Sequence, residues 1–286
     1  MQKGMSRTWP TGLIELAGGV FAYVQKGGGL CVANAGLIVG PEACVVIDAL
    51  FAPSMTRAFR EQIARVTDKP VRLLVNTHHH IDHTLGNALF PEAQIISHAN
   101  ARREQQRVGN GVLDLLRPRV PDLVAEVEGV QPRLPDLTFE GELSLHVGGR
   151  TVRLLHLGAA HTIGDALVLL PEERLLFAGD VAFHYVTPLA FEGHIGRWLE
   201  VCDRVDGLDV ETIVPGHGPV GGKADLREMR GYLHYIRQQA RAVFDAGRSP
   251  EEATQGIDLG EYASWAEPER LALNVGRLYQ EFRGEI

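Results

Sequence analysis

The first fifty residues alternate between apolar runs and glycine-centred breaks. Val20 to Val24, Cys31 to Val39 and Cys44 to Leu50 are separated by Gly27-Gly28-Gly29 and by Gly40-Pro41, so they read as strands of one sheet joined by turns. The period then changes. Met55, Phe59, Ile63 and Val66 recur at helical spacing, and Pro53-Ser54 supplies a start signal, which predicts a helix over 53–67. A short β-rich run, Val71-Arg72-Leu73-Leu74-Val75-Asn76, follows Pro70 and predicts a buried strand.

From about 100 to 135 the chain turns polar, with Arg, Gln and Glu clusters, a helix-like Val112-Leu113-Leu115-Leu116 and prolines at 118, 121, 132 and 135. This stretch is expected to be an insertion covering a site. Strand-like runs return at Leu143 to Val147, Thr151 to Leu157, Ala166 to Leu170 and Arg174 to Ala178, divided by Gly148-Gly149 and Pro171-Glu172-Glu173. Beyond about 222, Leu226, Met229, Tyr232, Leu233 and Ile236, and later Leu271, Val275 and Leu278, have helical spacing; Ser249-Pro250 and Glu267-Pro268 are helix starts. No repeat or linker divides the pattern, so residues 1–286 are expected to form a single α/β domain with a helical C-terminal layer over about 222–286.

Composition narrows the function classes. With 45% apolar and 22% charged residues among 286, the chain has the balance of a globular protein with a sizeable core. A net charge of -8 argues against broad phosphate-driven nucleic-acid binding, which needs a basic surface to displace counterions. Cys31, Cys44 and Cys202 are widely spaced and odd in number, so they read as buried thiols in a reducing compartment. The N-terminal segment Met1 to Pro10 lacks the apolar stretch of a secretory signal, and no run is long enough to span a bilayer. A cytoplasmic location is therefore expected, although a chain whose signal had been removed would read the same. The expected partner is a small-molecule substrate, with neither nucleic acid nor membrane; no pattern points to an oligomeric state.

Chemistry concentrates just past the strand ending at Asn76. Residues 78–83 read His-His-His-Ile-Asp-His, placing His78, His80, Asp82 and His83 in a His-x-His-x-Asp-His pattern. Imidazole and carboxylate suit a borderline divalent cation, and ligands at i, i+2, i+4 and i+5 are too many for one ion to take from one short loop, which points to two adjacent ions. His79 should point the other way along extended chain and is left out of the ligand set. Three further segments have the same form, an apolar strand, small residues and one ligand-type side chain. They end in His161, Asp180 and His217, with glycine letting the backbone approach a crowded centre. His98, His146, His156 and His234 read as structural histidines. His184 and Tyr185, a few residues beyond Asp180, are candidates for lining a substrate pocket, with plain packing as the alternative; His194 is a weaker candidate.

This set, in this order and context, resembles the metallo-β-lactamase-fold hydrolase superfamily from roughly residue 15 to 220. The resemblance implies a four-layer αβ/βα sandwich with the metal site at the sheet ends. It further implies that His78, His80 and His161 hold a first metal, that Asp82, His83 and His217 hold a second, and that Asp180 bridges them. Asp48 resembles the carboxylate that orients one of the ligands. Two divalent ions, most naturally Zn2+ with Fe or Mn as alternatives, would leave the centre net positive by about one charge and supply hydroxide near neutral pH. Asp82 or Asp180 would then orient or shuttle the proton. The expected chemistry is hydrolysis of a small carbonyl substrate: a lactone, a thioester or a β-lactam. Asp180 stands where class B β-lactamases generally carry Cys or His, which leans toward the lactonase and glyoxalase II side. No basic C-terminal segment suggests glutathione.

The same ligands resemble those of mononuclear-iron persulfide dioxygenases, a redox alternative. Flavodiiron reductases resemble this family with a glutamate where His80 stands and an added flavin domain, and its ribonucleases need an RNA-binding arm. A degenerate member using metal structurally would need a closed shell of four ligands, whereas this set leaves room for water.

Overall fold

Period-two alternation decides how the strands stack. The computed structural model describes residues 8–109 and 111–286; residues 1–7, part of the segment read above for a leader, and Asn110, within the polar segment, lie outside the described residues. Among the described residues, one sheet runs in chain order through β1 (Gly12–Ala17), β2 (Val20–Val24), β3 (Ala35–Val39), β4 (Cys44–Ile47), β5 (Val71–Val75), β6 (Gln94–His98) and β7 (Leu137–Phe139). β1 to β4 pair antiparallel. The pairs from β4 to β7 are parallel, reached through crossovers such as α1 (Pro53–Val66). The second sheet has the order β12-β11-β10-β9-β8, from β8 (Glu142–Val147), β9 (Arg150–Leu155), β10 (Leu167–Leu170), β11 (Leu175–Phe183) and β12 (Thr212–His217), with only β11 and β12 parallel.

Alternate residues then enter different layers. Val20, Ala22 and Val24 of β2 and Val45 and Ile47 of β4 meet Val168 and Leu170 of β10 and Phe177 of β11 between the sheets. Phe21, Tyr23 and Val46, facing the other way, pack with Phe59 and Ile63 of α1. On the far side of the second sheet, Leu167, Leu169 and Leu176 pack against residues of α6 (Ile195–Asp206), α7 (Lys223–Asp245) and α9 (Leu271–Phe282), including Trp198, Tyr232 and Val275. The result is the four-layer αβ/βα sandwich. Burying a Val, Leu or Phe side chain contributes about 1.5–3 kcal/mol, so the three clusters dominate the stability of the fold.

Several boundaries differ from the sequence pattern. The apolar runs 31–39 and 44–50 are only partly strand, because Cys31, Asp48 and Leu50 have φ of 64°, 58° and 68°, which turn the chain out of the sheet. The run from 174 continues to Phe183, so Asp180 lies within β11 rather than beyond it. β1, β6 and β7 carry little pattern of their own, whereas α6 was missed although Ile195, Trp198, Val201, Cys202 and Val205 recur at helical spacing and are buried. Val66 is 46% exposed and drops out of the helical stripe at the end of α1. All three cysteines are buried free thiols. The polar segment forms α3 (Ala99–Val108), α4 (Leu113–Leu116) and α5 (Pro121–Val127), and apolar residues of α4 and α5 join Phe51 and Leu85 in a small fourth cluster. Among the described residues, no helix is long and apolar enough to cross a membrane.

Candidate metal centre

The candidate ligands converge where the two sheets meet. His78 and His80 leave the end of β5, and Asp82 and His83 sit on the one-turn helix α2 (Ile81–Thr84) directly after it. His161 comes from the loop between β9 and β10, and His217 ends β12. Asp180 is turned toward them by irregular pairing of β11 with β12, where the register shifts around Gly179. Glycine is required here: a Cβ on Gly216 would lie 1.8 Å from Asp180 Oδ1 and one on Gly179 2.6 Å from Thr77.

The donor atoms form two adjoining groups. Those of His78, His80, His161 and Asp180 lie within 4.8 Å of one another, as do those of Asp82, His83 and His217. Asp180 reaches both. Its Oδ2 is 3.2 Å from His161 Nε2 and 3.4 Å from His217 Nε2, and its Oδ1 is 3.1 Å from His83 Nε2. His217 Nε2 is also 3.4 Å from Asp82 Oδ2, and His80 faces the first group with Nδ1, 2.9 Å from His161 Nε2. His78 Nε2, His83 Nε2 and Asp180 Oδ1 are buried without a hydrogen-bond partner. Such orphaned atoms are costly unless something binds them, and an all-nitrogen-and-oxygen donor set suits zinc, iron or manganese, so these residues fit divalent metal ions.

The outer atoms of the ligands are tied down. Asp48, only 2% exposed, accepts from His83 Nδ1 at 2.8 Å, from the Thr77 backbone N–H at 2.8 Å and from the Thr77 hydroxyl at 2.7 Å. His217 Nδ1 lies 3.0 Å from the Gly28 carbonyl. Buried Asp165 accepts from Thr162 N–H and, at 2.6 Å, from its hydroxyl, bracing the loop that carries His161; burial pushes this carboxyl up to about 7. Each bond fixes which face a ligand presents.

Electrostatics divides the histidines. Burial disfavours the charged ring at His78 and His161, holding the first well below the ordinary range and pushing the second down to about 3. At His217 burial acts in the same direction but is outweighed by Asp180 and Asp82, which push it up to about 9. His83 is likewise raised by Asp180, Asp48 and Asp82 against its own burial. In turn, those imidazoles hold Asp82 and Asp180 below the usual carboxylate range despite burial.

The centre forms the floor of an apolar cavity of about 320 Å³. Its walls include Leu30, Ile81, Val112, Leu116, Phe183 and Phe191. Gln105, Val108, Val112, Leu115, Leu116 and Pro132 of the polar segment line one side. Arg270 is the one Lys or Arg among the described lining residues. Its Nη2 pairs with Glu267 at 2.5 Å and its Nη1 donates to the Thr187 carbonyl at 2.8 Å.

All seven candidate ligands and Asp48 are thus brought together, whereas His184 and Tyr185 are not among the cavity-lining residues. His184 is buried with Nδ1 2.9 Å from the Pro219 carbonyl, and the Tyr185 hydroxyl donates to Asp225 at 2.7 Å, so both meet the packing alternative. His194 caps α6 by accepting from Arg197 N–H. His79 is absent from both donor groups, yet its Nε2 meets Glu192 Oε1 at 2.8 Å at the cavity wall. Glu192 and Arg270 carry no motif, and sequence reasoning missed them; the segment Phe191-Glu192-Gly193-His194 offered only its histidine as a signal.

Residues 28–217 match the family model described as "Metallo-beta-lactamase superfamily". Among curated relatives, the chain is 27% identical over 232 residues to a 2,4-dinitroanisole O-demethylase subunit alpha from a Nocardioides species, covering 79% of this chain and 62% of that one. It is 22% identical over 262 residues to a linear primary-alkylsulfatase from a Pseudomonas species, covering 78% and 49%. The chain therefore spans about half to three fifths of the length of these relatives. A solved metallo-beta-lactamase family protein from Thermus thermophilus is similar in fold, with a TM-score of 0.72 at 21% identity over 95% of both chains.

Proposed function

Since the chain belongs to the metallo-β-lactamase superfamily, we propose that it is a dinuclear metal-dependent hydrolase acting on a small carbonyl substrate, a lactone, thioester or β-lactam, that carries an apolar group. The observation that carries this reading is the pair of adjoining donor groups, shared through Asp180, at the floor of an apolar cavity. His78, His80 and His161 would hold one ion and Asp82, His83 and His217 the other, with Asp180 between them. When bound, such ions, most naturally zinc, supply a nucleophilic water at neutral pH and stabilise developing negative charge.

The chain's own residues do the rest. Asp82, at the cavity wall and the more accessible of the two carboxylates, is placed to accept a proton at Oδ2 and return it to the leaving group, while Asp180 stays buried and orients. The aliphatic and aromatic walls exclude water and give the substrate's apolar part its surface. Arg270 is already committed to Glu267 and Thr187, so the walls offer no free cation for a carboxylate among the described residues, which favours neutral lactones and thioesters over β-lactams.

The test is metal content of the purified protein by elemental mass spectrometry, together with a substrate panel. The panel holds lactones, thioesters and cephalosporins, plus a linear alkyl sulfate and 2,4-dinitroanisole because of the relatives' named activities, and oxygen uptake on a persulfide is recorded on the same sample. About two zinc ions per chain with turnover of a carbonyl ester supports the reading. One iron per chain with oxygen consumption replaces it with the dioxygenase, and no turnover of any carbonyl substrate ends it.

A further inference from the structure

Glu192 stands where no motif would place a functional residue, yet a single oxygen of it serves two histidines. Its Oε1 is 2.5 Å from His80 Nε2 and 2.8 Å from His79 Nε2. His80 is one of the seven candidate ligands and turns its other nitrogen, Nδ1, toward His161 Nε2 at 2.9 Å. An imidazole that donates from Nε2 has a bare lone pair at Nδ1, the atom a metal needs. We propose that Glu192 is a positioning residue for the metal centre, locking the His80 ring and its tautomer so that Nδ1 faces the ion, and that His79 is the second contact holding the carboxylate in place.

Three further observations support this assignment. The loop bearing Glu192 is itself fixed: Arg277 of α9 donates to the Glu192 carbonyl at 2.7 Å and to the Gly193 carbonyl at 2.5 Å, and His194 N–H donates to the Ala160 carbonyl at 3.0 Å. Gly193 packs so tightly on the His161 loop that a Cβ there would lie 2.7 Å from the Ala160 carbonyl oxygen and 2.9 Å from that of His161. One loop therefore braces two ligands of the first group. The separations from Glu192 to His79 and His80 are those of charge-assisted hydrogen bonds rather than of donors flanking a third ion.

The inference rests on the metal-centre reading above, and its test separates the two. The full chain is stripped of metal and titrated with zinc against a chromophoric chelator, then with cobalt(II) followed by its visible absorption. Glu192→Ala is expected to weaken zinc binding by about 10- to 100-fold and to change the cobalt spectrum, since a freed His80 ring no longer offers a fixed nitrogen. Glu192→Gln keeps an acceptor oxygen without the charge and should restore most of the affinity, within about fivefold of wild type, along with the wild-type spectrum. A merely structural role would move neither spectrum nor rescue. Should Glu192→Ala fail to fold by circular dichroism, Glu192→Gln carries the test alone through its partial loss. Wild-type affinity and spectrum in Glu192→Ala would overturn the inference alone, as would, where only Glu192→Gln folds, a zinc affinity in that variant equal to wild type. Failure of the wild-type chain to take up any metal would overturn both it and the reading beneath it.

Discussion

Asp48 offers the sharpest separation between stability and metal chemistry, because two substitutions at one position should affect them differently. The carboxylate accepts three buried hydrogen bonds, from His83 Nδ1, from Thr77 N–H and from the Thr77 hydroxyl, all at 2.7–2.8 Å. Asp48→Ala orphans those donors, and each buried donor left unpaired costs about 1–3 kcal/mol. The Thr77 hydroxyl has a fallback in His78 Nδ1 at 3.1 Å, so the total should be about 3–5 kcal/mol, a large share of the ~5–15 kcal/mol of a typical domain. Thermal unfolding of the metal-free protein should fall by on the order of 10 °C.

Asp48→Asn should behave otherwise. Residue 48 has φ of 58°, a conformation asparagine adopts readily, and the amide oxygen still accepts from Thr77 N–H. Its NH2 group, however, now faces His83 Nδ1, which must become an acceptor and move its proton to Nε2. That atom lies 3.1 Å from Asp180 Oδ1 and is the one a metal would take. The expected result is a stability loss of only about 1 kcal/mol beside a 10- to 100-fold loss of zinc affinity in the group of Asp82, His83 and His217. Isothermal titration with zinc and a thermal melt on the same samples decide it. If Asp48→Asn binds zinc with wild-type affinity, the tautomer argument is wrong.

Three other perturbations test different parts of the site. Gly216→Ala, whose Cβ would lie 1.8 Å from Asp180 Oδ1 and 2.8 Å from the Gly179 carbonyl carbon, should displace the shared carboxylate and abolish stoichiometric binding in both groups; retention of the wild-type metal count by elemental analysis would contradict it. Across a series of thioesters or lactones with lengthening acyl chains, kcat/KM should rise by up to about fourfold per methylene until the cavity is filled, and a flat series would place the apolar part of the substrate elsewhere. Loading the metal-free protein with zinc at pH 7 should acidify a weakly buffered solution, because His217, raised to about 9, carries a proton there that a metal ligand must lose; above about pH 10 this contribution should vanish, as a pH-stat would record.

What the sequence made legible follows from how local each signal is. His78 to His83 are spaced by a strand end and one helical turn, and His161, Asp180 and His217 each follow an apolar run into small residues, so local pattern alone exposes all seven. Asp48 was reached only through the family resemblance, as the polar residue closing an apolar strand. The exact extents of β3 and β4 were not, because positive φ at Cys31, Asp48 and Leu50 is imposed by packing at the site and not by glycine or asparagine in the chain. Glu192 was invisible for a related reason. Its partners are 112 and 113 residues away, and a lone glutamate in a loop resembles any solvated charge until the fold brings it to His79 and His80. His184 and Tyr185 show the converse: proximity to Asp180 along the chain left pocket and packing open, and past the end of β11 at Phe183 their side chains meet Pro219 and Asp225.

The ligands' origins also explain why the core matters to the chemistry. His78, His80, Asp82 and His83 hang from the first sheet, whereas His161, Asp180 and His217 hang from the second, so neither sheet holds a complete donor group alone. The docking of the sheets, through Ile47, Val75, Val168, Phe177 and their neighbours, therefore sets the spacing of the donors. Polar stitching at the rim refines it. Asn34, in the loop just before β3 of the first sheet, donates to the carbonyls of Pro215 and Gly218 on either side of His217, and Ala166 N–H donates to the Thr77 carbonyl next to His78. A metal that binds only the docked arrangement must stabilise it by mass action, about 4 kcal/mol at a thousandfold excess over its dissociation constant. The cost of holding two carboxylates and five imidazoles close together without ions is thus offset when the centre fills, which is why so much buried polar chemistry can be carried at the seam of an otherwise apolar sandwich.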